Sequence, residues 1–323
     1  MRKLFLSLAA FVMAFCANAQ TNQYFWYQGN LMLGIQIAQI DSVTFGDSES
    51  VDTLHLLLPR TIIKTVEVHD TIYITIHDTV CPNDVPEGAL AGEFSVSATK
   101  KVRFSKGNLQ YVGTWQFAEH QWEYFGASQF DDHRDGFGWG TGDAPNKSSM
   151  EYNDYSTFTD WGTNAITNGG NKANLWRTLT KDEWNYVFHT RSNAAALWGM
   201  GTVNGVNGTI LLPDNFILPE EASFTASAPF GSIDSGGTYY NSNGDNYSHN
   251  TYTLTQWAIM ESAGAIFLAA PGGVDGAYWS STPHADWCSF SIQFRPERLF
   301  TQNWNDSDLF FKFCVRLVQD VEK

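Results

Sequence analysis

Apolar positions along this chain change their period several times, and each change predicts a different element. Leu31-Met32-Leu33-Gly34-Ile35-Gln36-Ile37-Ala38-Gln39-Ile40 alternate only in part, and with Val43 and Phe45 they predict β-structure broken at Gly34. A segment spanning 20–48 is too small to bury a core of its own. Further on, Val66-Glu67-Val68-His69-Asp70-Thr71-Ile72 and Ile74-Thr75-Ile76-His77-Asp78-Thr79-Val80 repeat a His-Asp-Thr unit inside β-branched runs. His69, Asp70, His77 and Asp78 suggest a metal set, but neighbours on one extended strand point to opposite faces and do not converge. The pattern fits an extended β-rich stalk over 49–88, ending in the turn formers of Cys81-Pro82-Asn83-Asp84-Val85-Pro86-Glu87-Gly88.

The main domain is expected over 89–321. Early strands are predicted at 92–98, 101–104, 107–112, 115–117 and 122–125. Helical periodicity first appears at Thr180-Lys181-Asp182-Glu183, a capping box whose acids suit a helix N-terminus. Trp184, Val187 and Phe188 then share one face. A second helix is predicted over 255–262, with Trp257 and Met260 inward and Gly264 at its end. Residues 265–269 read as a short buried strand, and Pro271-Gly272-Gly273 as a turn. Two short helices among many short antiparallel strands make the fold class α+β. Trp184, Trp257, Phe290, Ile292, Phe294, Val315 and Leu317 are expected in the core.

Charge and compartment narrow the partners. The 323 residues carry a formal charge of -15, which argues against nucleic acid and against anionic lipid. Arg2-Lys3, the apolar run from Leu4 to Phe15 and Ala17-Asn18-Ala19 read as a signal peptide over 1–19, cleaved before Gln20. Lipidation at Cys16 is the alternative. No later apolar run is long enough for a transmembrane helix, so the protein is expected to be exported: secreted, at the cell surface or associated with the outer membrane. Cys81, Cys288 and Cys314 remain after cleavage. Cys288 alternates with Phe290, Ile292 and Phe294, while Cys314 lies opposite Phe313, Val315 and Leu317, so inward-facing apolar sides would hold the two sulfurs apart.

Catalytic patterns are sparse. The chain has no Gly-x-Ser-x-Gly elbow, His-Glu-x-x-His, phosphate loop or dinucleotide fingerprint, and no enzyme activity, cofactor or metal is expected. His189, near the end of the first helix, reads as a partner for the helix dipole. Residues 131–142 combine Asp131, Asp132 and Asp135 with glycines and aromatics, but lack the spacing of a calcium loop and read as a surface loop.

Arg177-Thr178-Leu179-Thr180-Lys181-Asp182-Glu183-Trp184-Asn185-Tyr186 resembles the Arg-Leu-Pro-Thr-Glu-x-Glu-Trp-Glu-Tyr signature of formylglycine-generating-enzyme-like domains. Tyr278-Trp279-Ser280-Ser281-Thr282 and Val315-Arg316-Leu317-Val318 resemble the tail of the Fibrobacter succinogenes major paralogous domain group. Over 92–318 the chain is thus similar to a bacterial branch of the C-type lectin fold. Similar tails occur in the variable proteins of diversity-generating retroelements. The resemblance implies an adhesin-like, exported binder of a protein or glycan ligand. Its recognition surface would be the tail from 284 to 312, through His284, Asp286, Arg295, Glu297, Arg298, Phe300, Gln302, Trp304, Asn305, Asp306, Asp308, Phe310 and Lys312, with the loop 131–139 beside it. Such Trp, Phe and Arg side chains suit the centre of an interface. Trp304-Asn305-Asp306 also matches the calcium-binding motif of C-type lectins, without the upstream Glu-Pro-Asn loop. The alternatives are a calcium-dependent carbohydrate-binding lectin, a structural component of a surface assembly, and an oxidase using Cys288 and Cys314.

Overall fold

The structure is a computed structural model. It describes residues 85–124, 134–227, 247–270, 275–296, 298–303 and 307–321 in full, and the backbone of strands within 22–67 and 232–240. The chain divides into two compact units, 1–82 and 83–323.

In the first unit, β1 (Asn22–Tyr27) pairs antiparallel with β2 (Asn30–Gln36) across a bulge at Phe25/Trp26. The strands β3 (Ser42–Gly46), β4 (Thr53–Leu57) and β5 (Val66–Glu67) form a second antiparallel sheet. The β-rich reading of 20–48 therefore extends into part of the segment read as a stalk. His69, Asp70, His77 and Asp78 lie outside the described residues, as do the segments read as signal peptide and as the Pro271-Gly272-Gly273 turn.

The second unit is α+β: strand-rich and mostly antiparallel, with two short α-helices among its described residues. Its first strands are β6 (Phe94–Ser95), β7 (Lys101–Phe104), β8 (Leu109–Tyr111) and β9 (Trp115–Phe117). Residues 122–124, expected to be extended, instead leave a turn. The strand β10 (Arg177–Thr178) leads into α1 (Lys181–Asn185), which continues as a wide turn over Tyr186–Thr190. A hairpin follows, β11 (Trp198–Val203) with β12 (Val206–Leu211). After β13 (Ser232–Ile233), β14 (Thr238–Tyr240) and β15 (Thr251–Tyr252) come α2 (Leu254–Ser262) and β16 (Ile266–Ala269). The tail supplies β17 (Gly276–Ala285), β18 (Cys288–Arg295), β19 (Arg298–Asn303) and β20 (Leu317–Asp320).

Local chemistry starts both helices. Thr180 accepts from the N–H of Glu183 at 3.2 Å and the Glu183 carboxylate accepts from the N–H of Thr180 at 2.9 Å, the predicted capping box. Thr253 and Gln256 repeat the arrangement at α2. Gly264 ends that helix in the left-handed region, φ 94°, which glycine enters without a Cβ penalty. Trp184, Val187 and Phe188 are buried, as are Trp257 and Met260.

Among the described residues the domain is built from three larger sheets, in the orders β10-β20-β7-β6, β15-β11-β12-β16 and β13-β14-β19-β18-β17, and the two-stranded pair β8-β9. Between them lie three apolar clusters. One gathers Phe94, Phe104, Trp184, Phe188, Trp198, Ile292, Phe294 and Cys314. A second holds Trp115, Phe137, Trp139, Trp161, Trp279, Phe313, Val315 and Leu317. The third lies between α2 and the β11–β12 hairpin, around Trp257 and Phe267.

These clusters correct two expectations. The described part of the glycine-rich loop is no surface loop, because Asp135 to Gly142 is buried. The Phe137 N–H donates to Phe313 O at 3.0 Å, the Trp139 N–H donates to Leu309 O at 2.8 Å, and the Trp139 indole donates to Ser280 O at 2.9 Å. Glycine permits this packing: Gly140 has φ 66°, and a Cβ there would meet the Phe158 Cα at 2.7 Å. The alternation around Cys314 holds, yet both faces of that segment point inward, Cys314 into one cluster and Phe313, Val315 and Leu317 into another. Cys288 and Cys314 are both buried and free.

Candidate functional site

The β17–β18 hairpin puts a two-residue turn, Asp286-Trp287, at one end of its sheet. The turn is tied to the segment after β19. The Leu309 N–H donates to Trp287 O at 3.1 Å, and the Ser289 N–H donates to Ser307 O at 3.1 Å. Beneath it the Ser289 hydroxyl donates to Thr282 O at 2.6 Å, and Ser291 and Ser307 share a hydroxyl contact of 2.7 Å. On this frame Trp287 remains 39% exposed.

Beside Trp287 lies a second group of rings. Tyr152, also 39% exposed, packs its ring against Phe310 with centroids 5.3 Å apart. Its hydroxyl donates to Asp308 Oδ2 at 3.4 Å. Its ionisation is pushed up by local burial and then by the Asp308 carboxylate, so it stays a neutral donor. Phe310 meets Phe311 edge to face at 5.2 Å, and Met150 is 65% exposed close by in sequence. Asp286 and His284 are exposed, and His284 stands edge-on to Phe290 at 4.8 Å. Phe290, expected in the core, is only half-buried, with Lys181 Nζ 4.5 Å above its ring.

The residues of the predicted tail surface do not form one cluster. His284, Asp286, Asp308 and Phe310 gather at the Trp287 end. Arg295 and Arg298 flank the opposite turn, where the Arg295 guanidinium stacks 5.2 Å from the centroid of Phe300 and its Nε lies 3.9 Å from Asp275. The eight residues of β18 separate these ends by roughly 23 Å at about 3.3 Å per residue. Along β19, Arg298, Phe300 and Gln302 are more exposed, while Leu299, Thr301 and Asn303 turn inward. Lys312 is buried to 9% exposure and its ammonium donates to Lys147 O, so it belongs to the frame and not to the surface. Glu297, Trp304, Asn305 and Asp306 lie outside the described residues. Of the neighbouring loop, Arg134 is exposed while Asp135 to Trp139 pack beneath the tail.

Trp287, Tyr152 and Met150 are absent from the sequence-derived set. Trp287 had a readable cue, an aromatic in a short turn between two alternating runs. Tyr152 had none, because its placement depends on Phe310 and Asp308, far along the chain.

The two described thiols, Cys288 and Cys314, are held toward their protonated form. Burial, then the charge of Asp308, pushes Cys288 up to about 11, and burial pushes Cys314 well above the ordinary thiol range. Nucleophilic sulfur chemistry requires the thiolate. No group of three His, Cys, Asp or Glu among the described residues is placed to hold a metal ion, and none of their helices is long and apolar enough to cross a membrane. Comparison with family models, with curated proteins and with solved structures finds no match to this chain.

Proposed function

We propose that this is an exported binding protein whose C-terminal unit, on a C-type-lectin-like scaffold, presents the Trp287 end of the tail sheet to a macromolecular ligand. The observation that supports it is Trp287 itself. It is a large aromatic left substantially exposed on a turn whose backbone is fixed from two sides, next to Tyr152, Phe310, Asp286 and Asp308. Exposed rings on a rigid frame lose little conformational entropy on binding, and they carry most of the energy at interfaces. The raised thiol ionisation of Cys288 and Cys314 weighs against the oxidase reading.

The test is binding to arrays of glycans and extracellular proteins, with and without calcium, by the wild type and by Trp287→Ala/Tyr152→Ala. A ligand held by the wild type should be lost in the double variant, whose melting temperature should be unchanged. Retention of every ligand by that variant would sink the reading, as would loss only in Arg298→Ala/Phe300→Ala at the other end.

We also propose that the tail is diversified by a retroelement. The outward positions Arg298, Phe300 and Gln302 alternate with inward Leu299, Thr301 and Asn303, so the surface can vary without disturbing the core. Sequencing the gene across isolates should place substitutions at such outward codons. A uniform tail would reject diversification and leave a fixed binder.

A further inference from the structure

Charge around the exposed rings is segregated by direction. The carboxylates of Glu151 and Asp286 are exposed, and that of Asp308 is half-buried beside the Tyr152 hydroxyl. The nearby cations turn to the protein instead. Lys147 Nζ lies 5.0 Å over the Tyr155 ring and also donates to Asp154 O. Lys312 is buried against Lys147 O. Lys181 sits over Phe290 and 3.6 Å from Asp182. What the surface offers outward is therefore π-faces bordered by carboxylate acceptors, with the exposed His284 ring at their edge. The Tyr152 hydroxyl already spends its proton on Asp308.

We infer that the ligand docked here is a polypeptide segment presenting arginine or lysine beside an aliphatic or aromatic side chain, an inference that rests on the recognition reading above. A guanidinium satisfies both features of the surface at once. Its plane stacks on Trp287, Tyr152 or Phe310, and its N–H fork donates to Asp286, Asp308 or Glu151. The apolar neighbour covers the remaining ring area. A neutral sugar can donate its hydroxyls to these carboxylates, but it leaves their charge uncompensated. Exposed ion pairs alone contribute little, so the rings and the carboxylates must act together.

The test is fluorescence anisotropy of the full chain with a labelled peptide, Gly-Ser-Arg-Leu-Arg-Leu-Ser-Gly, and with a copy carrying citrulline in place of both arginines. Citrulline keeps the shape and loses the charge. At about 0.15 M ionic strength the arginine peptide should bind about tenfold more tightly than the citrulline peptide. Asp286→Asn/Asp308→Asn should remove that difference, as should Asp286→Asn alone in part, while Glu220→Gln/Glu221→Gln, the same change of net charge on a distant exposed loop, should preserve it. Equal losses in the two double variants would mean attraction to the net charge of the protein and would overturn the inference. If both peptides bind alike and Trp287→Ala releases both, the cation inference fails and the recognition reading stands. Failure of the wild type to bind the arginine peptide also overturns the inference, and leaves recognition to be judged by the array measurement.

Discussion

Arg316 donates from Nη2 to Oε1 of Gln121 at 2.7 Å, across 195 residues of sequence. Both are buried, Arg316 to 1% exposure. Gln121 Oε1 also accepts from the Phe267 N–H at 2.8 Å, and Gln121 Nε2 donates to Glu261 Oε1 at 2.6 Å. One amide thus joins the closing segment of the domain to β16 and to α2. Burial pulls Arg316 down to about 10, still charged at neutral pH.

Gln121→Ala leaves that buried cation without its shortest hydrogen bond, and should cost about 2–3 kcal/mol in urea unfolding. Gln121→Leu combined with Arg316→Met should cost at least about 1 kcal/mol less than the sum of the single changes. Strict additivity would show that the contact carries no coupling.

Glu183 accepts two hydrogen bonds of 2.8 Å from the Arg177 guanidinium as well as the capping bond from the Thr180 N–H. Arg177 also reaches Asp320 Oδ1 at 2.7 Å. Glu183→Ala should therefore lose about 2 kcal/mol. Its exposed neighbour, Asp182→Ala, should stay within about 0.5 kcal/mol of wild type. Chemical denaturation of the two variants side by side measures the contrast.

His189 is held by burial at about 3, well below its ordinary value of 6.5. A neutral imidazole is no cationic partner for a helix dipole, which corrects the role expected from its position. The unfolded chain binds a proton near pH 6.5 that the folded chain refuses until about 3, so stability falls as pH falls through that window. Going from pH 7.5 to 4.5 should cost about 2 kcal/mol from this group, and His189→Leu should flatten the loss. Against the cost of burial, the Ser95 bonds and Arg191 hold Asp214 below its ordinary 3.8, and it adds its own loss only as pH falls past that value. An unchanged acid limb in His189→Leu would refute the assignment.

Alkylation resolved by peptide should leave Cys288 and Cys314 unmodified in the folded protein at about pH 8 and modify both in urea. Labelling of either under native conditions would contradict their burial.

The sequence was most legible where the cause is local. Thr180 with Glu183, Trp184 with Val187 and Phe188, and Gly264 lie within a turn or two of each other, and their roles follow from spacing. The 131–142 loop misled because its acids and glycines suit solvent, while the partners that bury its second half, Phe313, Leu309 and Ser280, are far along the chain. Residues 284–312 looked like one surface because they are close in sequence. An extended β18 instead carries Asp286 and Arg295 to opposite ends of the sheet. Lys312 was misplaced for a related reason, since its burial depends on the Lys147 carbonyl.

The position of β20 has a consequence for synthesis. This strand lies between β10 and β7, and the residues just before it wall two apolar clusters at once. A nascent chain whose first three hundred residues have emerged from the ribosome has a gap in the middle of that sheet and two cores open to water. The unit cannot close before β20 is in place, and the long-range pairing of β20 with β7 comes slowly. Until β20 docks, the edges of β10 and β7 lie open to pairing with strands of other chains.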